Sequence, residues 1–219
     1  MTTLDGKALA QKVKERVRQE AAGLPRRPGL AMVLVGEDPA SHVYVRGKSR
    51  DCEQCGIYSE TYDLPENTTQ TQLLALVEEL NGREDIDGII VELPLPAHLD
   101  ERQVLEAVAP DKDVDCFHPF NAGKLFVGEK GFLPCTPAGI MELLEEYHID
   151  PAGKRAVVVG RSNIVGKPVA MLLLKKDATV TICHSRTEGL AEICRQADIL
   201  VAAVGKRGVL TADMVKEGA

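Results

Sequence analysis

Four short apolar runs limit what this chain can fold into: "LAMVLVG" (30–36), "IDGIIVELPLP" (86–96), "AVVVG" (156–160) and "DILVAAVG" (198–205). Each is too short for a buried helix, and each is closed by Gly or Pro, so each reads as a strand buried on both faces. The segments between them have other periods. Leu9, Val13 and Val17 recur every four residues, as on an amphipathic helix. "SHVYVRGKSRDCEQCG" reads as a helix closing at Gly56, and "IYSETYDL" as an alternating strand. "ENTTQTQLLALVEEL" reads as a capped helix with Leu73, Leu74, Val77 and Leu80 inward. Strands alternating with helices imply parallel sheets covered on both faces.

The pattern occurs twice. "TPAGIMELLEEYHI" reads as a helix with Thr136 as N-cap and Pro137 at its first position. "ATVTICHS" follows as a strand and "TEGLAEICRQA" as a helix. The stretch "APDKDVDCFHPFNAGKLFVGEKGFLPC" between the blocks reads as irregular. Two α/β domains are therefore expected, 1–118 and 119–219, the second Rossmann-like.

Composition removes several function classes. A net charge of −7 with no Lys/Arg stripe disfavours a nucleic-acid partner. No apolar run reaches the length of a membrane span, and "MTTLDGKALAQKVKERV" has no signal-peptide core. A cytoplasmic location is the default expectation. Six cysteines include a single C-x-x-C, Cys52 and Cys55, with no second close pair, so no zinc ribbon and no other metal site is expected. Reduced thiols are the simpler reading and a redox dithiol the alternative.

The stretch "AVVVGRSNIVGKPVAMLLL" (156–174) carries the first sign of chemistry. Five residues separate Gly160 from Gly166, and Lys167 precedes Pro168, which has no hydroxyl for magnesium. A P-loop is excluded. The strict G-x-G-x-x-G spacing is absent too. What remains is strand, tight turn and helix N-terminus, a place where N–H groups and the helix dipole meet an anion. Arg161 adds a cation. Past the following strand stand Ser185 and Arg186 with no adjoining acid, which favours a 2′-phosphate and hence NADP over NAD.

In the first half, Ser41, Tyr44 and Lys48 share a helix face by their three- and four-residue spacing. Asp113, Asp115 and His118 lie in "KDVDCFHPFNAGKL", where a carboxylate following a strand can face a ligand. The other reading of both groups is ordinary surface. A lone strand-end His184 is read as structural.

Taken in order, "SHVYVRGKS", "DGIIVELPLP", "PDKDVDCFHPFNAGKL", "FLPCTPAGIMELL", "VVVGRSNIVGKPVAMLL" and "VTICHSRT" resemble the bifunctional methylenetetrahydrofolate dehydrogenase/cyclohydrolase family of one-carbon metabolism. The resemblance implies two α/β domains flanking a cleft, tetrahydrofolate substrates, NADP and a homodimer. It implies Lys48 as the central catalytic lysine, Tyr44 against the folate and Asp115 on the pterin. It also implies Gly160, Arg161 and Ser162 around the cofactor, with Arg161 and Ser185 at the 2′-phosphate. Three departures stand out. Glu92 replaces the family's Gln beside the lysine, and such a carboxylate favours the ammonium form and should slow the cyclohydrolase step. Cys116 replaces a glycine, either at a special backbone angle or where clearance is needed. The family continues past "MVKEGA", so the second domain is expected to lack its C-terminal part and to expose apolar surface. Two alternatives stay open: another two-domain dehydrogenase, acting for example on an amino acid or shikimate, and a folate-binding remnant.

Overall fold

In the computed structural model, which describes residues 3–219, "LAMVLVG" lies at the centre of a three-stranded parallel sheet. Strand β1 (Gly29–Val35) pairs with β2 (Tyr58–Leu64) on one side and β3 (Gly88–Val91) on the other. Helix α1 (Gly6–Ala22) precedes the sheet, α2 (Pro39–Cys55) joins β1 to β2, and α3 (Gln70–Gly82) joins β2 to β3. Alternate residues of β1 face opposite ways, as the strand period requires. Ala31, Val33 and Val35 meet Leu73, Val77 and Leu80 of α3. Met32 and Leu34 meet Val45 of α2. Leu73, Val77 and Leu80 are fully buried, and each such side chain contributes about 1.5–3 kcal/mol.

Local chemistry sets the helix ends. Asp38 caps α2, accepting the backbone N–H of Ser41 at 2.8 Å, and Gly56 closes it at φ 74°. Thr69 and Gln72 form a reciprocal capping box on α3.

The chain divides into two units, Asp5–Asn121 and one containing Ala122–Ala219. Two helices occur where the sequence reading has none. Helix α4 (Glu101–Ala107) is capped by Asp100 and buries Val104, and α5 (Pro119–Val127) lies inside the stretch read as irregular. Helix α6 (Cys135–Glu146) starts one residue before the expected cap. Pro134 occupies the N-cap without a side-chain bond, and Thr136 and Pro137 fall inside the first turn. Proline is tolerated there because first-turn N–H groups have no intrahelical acceptor.

The second sheet repeats the first design. Strand β4 (Arg155–Val159) lies between β5 (Thr179–Cys183) and β6 (Ile199–Ala202), all parallel. Helix α7 (Gly166–Lys175) joins β4 to β5. Helix α8 (Leu190–Cys194), shorter than "TEGLAEICRQA" suggested, joins β5 to β6. Ala156 and Val158 pack with Val169, Ala170 and Leu173 of α7. Val157 and Val159 face Cys183 and Cys194, and Val209, Leu210 and Met214 pack on that same cluster. The residues after β6 thus cover part of the apolar surface expected to be exposed.

Candidate active site

In the first unit the chemistry gathers at the carboxyl ends of the strands, where α/β sheets place ligands. Glu92 follows β3 directly, and its backbone N–H donates to Val33 O at 2.9 Å. That bond holds its side chain inside the fold, at 8% exposure. Lys48 reaches it from α2, with Nζ 2.6 Å from Glu92 Oε1. The carboxylate is buried and the lysine is about one-third exposed, so the pair answers a desolvated charge while leaving the ammonium open to a ligand. Tyr44, one turn earlier on α2, is 66% exposed. Ser41, on the same helix, is buried, and its hydroxyl donates to Asp38 Oδ2 at 2.7 Å. It is spent on the helix start.

Asp115 lies half-buried in a turn, between two buried residues, Asp113 and Cys116. Cys116 has φ 59° and is 3% exposed. Its position therefore requires the left-handed backbone that glycine adopts freely, which decides between the two reasons for a glycine there. Burial first, then the charges of Asp113 and Asp115, push its thiol up to about 11. His118 is half-buried, and its Nδ1 accepts the N–H of Phe120 at 3.0 Å, the local role of a turn residue.

Cys52 and Cys55 are both buried on α2 and unbridged, and burial pushes the Cys52 thiol up. This opposes the thiolate that a redox dithiol needs. Among the described residues, no three His, Cys, Asp or Glu side chains converge as a metal site, and no helix is long and apolar enough to cross a membrane.

In the second unit the turn after β4 is defined by close approach. Gly160 has φ +128°, and a Cβ on it would lie 2.1 Å from Ala203 O. A Cβ on Gly166 would lie 2.3 Å from Gly160 O. Only two glycines let the chain fold back so tightly before α7. Ser162 pins the turn: its Oγ accepts the N–H groups of Val165 at 3.1 Å and Gly166 at 3.2 Å. Gly160 N–H donates to Cys183 O at 2.8 Å, which sets the turn beside the end of β5. Arg161, Ser162, Ser185 and Arg186 are all exposed, on two adjacent strand ends. Thr187 Oγ1 accepts the His184 N–H at 2.8 Å, and His184 Nδ1 accepts the Arg186 N–H at 3.2 Å. A tight glycine turn, a helix N-terminus and an exposed guanidinium suit a dinucleotide phosphate.

Two residues escaped the sequence reading as structural devices. Asp113 stood only as one acid among three, yet it is 4% exposed and organises the loop around it. Asn121, its buried partner, carries no local signal at all.

Comparison with known proteins agrees with both halves. Residues 4–115 match the model "Tetrahydrofolate dehydrogenase/cyclohydrolase, catalytic domain", and residues 134–219 match its NAD(P)-binding domain. The bifunctional protein FolD of Moorella thermoacetica is 61% identical over 219 residues, 99% of this chain and 78% of that one. The crystal structure of the Campylobacter jejuni bifunctional FolD enzyme superposes with a TM-score of 0.96 at 49% identity, over 99% of this chain and 78% of that one. The Trypanosoma brucei enzyme, solved with NADP cofactor and inhibitor, gives 0.94 at 38% identity over 98% and 75%. Identity on this scale across both units decides against a different two-domain dehydrogenase. The chain belongs to the tetrahydrofolate dehydrogenase/cyclohydrolase family.

Proposed function

We propose that Lys48, held against Glu92, is the side chain on which both reactions of this enzyme turn. The enzyme oxidises 5,10-methylenetetrahydrofolate to the methenyl cation with NADP, and adds water to that cation to give 10-formyltetrahydrofolate. NADP supplies the hydride acceptor when bound. Observations of the second unit fit that group: a tight glycine turn, packed on its own backbone, that leads into the N-terminus of α7, and exposed Arg161 and Ser185 on neighbouring strand ends. In this reading the turn at 160–162 takes the dinucleotide phosphate, and Arg161 and Ser185 take the 2′-phosphate.

The observation that carries the proposal is the 2.6 Å contact between Lys48 Nζ and Glu92 Oε1 at the carboxyl end of β3. It supports a reading in which a partly exposed cation meets the folate's one-carbon bridge and its nitrogen holds or moves a water proton during ring opening. Tyr44 offers an exposed ring to stack on the folate. Asp115 offers a carboxylate to the N–H donors of the pterin, a charge-assisted pairing. The domain assignment that goes with this reading is folate on residues 1–118 and NADP on 119–219. A homodimer in the cytoplasm rests on the family alone, and light scattering reads the first of these.

The test is an absorbance assay for NADPH and methenyl formation on the wild type and Lys48→Met. Cyclohydrolase turnover should fall by about 100-fold or more, while NADP affinity is retained. An unchanged cyclohydrolase rate overturns the role of Lys48. Folate binding without turnover in the wild type would mark a folate-binding remnant instead.

A further inference from the structure

We infer that Asp113 is a positioning residue for folate binding, acting through Asp115, with Asn121 as its clamp. This rests on the reading of Asp115 as the pterin carboxylate. Asp113 is 4% exposed, and a buried carboxylate persists only where its oxygens are matched by donors. Here three donors converge on it. Oδ1 accepts the N–H of Phe117 at 3.0 Å, and Oδ2 accepts the N–H of His118 at 2.9 Å and Asn121 Nδ2 at 2.8 Å. Its own carbonyl accepts the N–H of Cys116 at 3.1 Å. All these bonds run forward in the chain, so Asp113 ties down the far side of the segment 114–118 that carries Asp115.

The near side is tied to the sheet. Asp113 forms a parallel bridge with Ile89 of β3, and the Ile89 N–H donates to Lys112 O at 2.8 Å. Val114 packs so closely on Gly88 that a Cβ there would lie 2.6 Å from it. The chain therefore enters the Asp115 turn alongside β3, the strand that ends at Glu92. Asn121 completes the clamp by also donating to Pro110 O at 2.7 Å, which joins the start of the loop to its end. A carboxylate held this way leaves Asp115 little freedom. A small displacement of a substrate-binding group is enough to cost about tenfold or more in efficiency.

Asp113→Asn replaces one acceptor oxygen with a donor while keeping the shape. The measurements are the KM for methenyltetrahydrofolate, the Kd of tetrahydrofolate by calorimetry and the KM for NADP, in Asp113→Asn, Asp115→Ala and the double variant. The expected result is a rise of roughly tenfold in folate KM and Kd for Asp113→Asn, an unchanged NADP KM, and a double variant no worse than Asp115→Ala alone. A purely structural loss lowers the folded fraction, and so apparent turnover, while leaving KM alone. A folded Asp113→Asn protein with wild-type folate affinity overturns the inference, as does a full additive loss in the double variant. If Asp115→Ala itself binds folate normally, the assignment of Asp115 fails instead. Should Asp113→Asn not fold, Asn121→Ala, which removes one donor and keeps the carboxylate, is read by the same measurements.

Discussion

Glu92 and Cys116, read in the sequence as departures from the family's pattern, each carry a separate prediction. Lys48 Nζ commits one donor to Glu92 at 2.6 Å, so the action on water proposed for it competes with a strong charge-assisted bond. Glu92→Gln keeps an acceptor and removes the charge. Cyclohydrolase turnover is expected to rise by roughly tenfold against the dehydrogenase rate; the same two assays check it, and an unchanged ratio contradicts it. At Cys116 the backbone, at φ 59°, inverts the usual order of small substitutions. Cys116→Ala keeps the left-handed penalty and Cys116→Gly removes it. The glycine variant should therefore unfold about 1 kcal/mol later than the alanine variant in urea, although it buries less. The resemblance set Glu92 beside Lys48 and left two readings of Cys116 open, and local sequence alone settled neither. Glu92's partner lies 44 residues away, and a backbone angle leaves no mark on a cysteine.

At the scale of elements, the turn from β4 into α7 shows how much a local pattern can carry. The apolar run, the glycine and the helix-compatible proline announced strand, turn and helix correctly. The reason for the second glycine was not legible, because Gly166 is packed on the carbonyl of Gly160 across the turn. Gly166→Ala should lose at least about 2 kcal/mol of stability in the second unit and lower NADP affinity by about tenfold or more, read by thermal unfolding and cofactor titration. The start of α6 was misread for a related reason. Thr136 has the chemistry of a cap, but Pro134 takes the position without offering a bond. Helix α5 escaped because "PFNAGKLFV" has little intrinsic helix preference, with Gly and Asn inside it.

At the scale of the whole molecule, part of the acid dependence of stability follows from the arginines flanking the loop into β3. Hydrogen bonds from Arg83 hold the Asp85 carboxyl below its usual range, and those from Arg26 do the same for Asp87. Their folded values lie below the unfolded value near ~3.9. The stability they contribute is full above that value and is lost as pH falls through the folded ones. The unfolding midpoint should stay flat down to about pH 5 and drop below about pH 4, less steeply in Arg26→Met/Arg83→Met. A midpoint independent of acid argues against it. By itself the sequence determined the βαβ alternation, the two units and the glycine turn, since strand period, helix period and turn chemistry are written in neighbouring residues, and the resemblance of its ordered motifs pointed to the family. Only the tertiary structure decided that Glu92 is buried and 2.6 Å from Lys48 Nζ, that Asp113 is an anchor for the Asp115 loop, and that Gly160 and Gly166 are required by close packing. Those facts are contacts between residues distant in the chain or across a folded turn, and no local pattern encodes them.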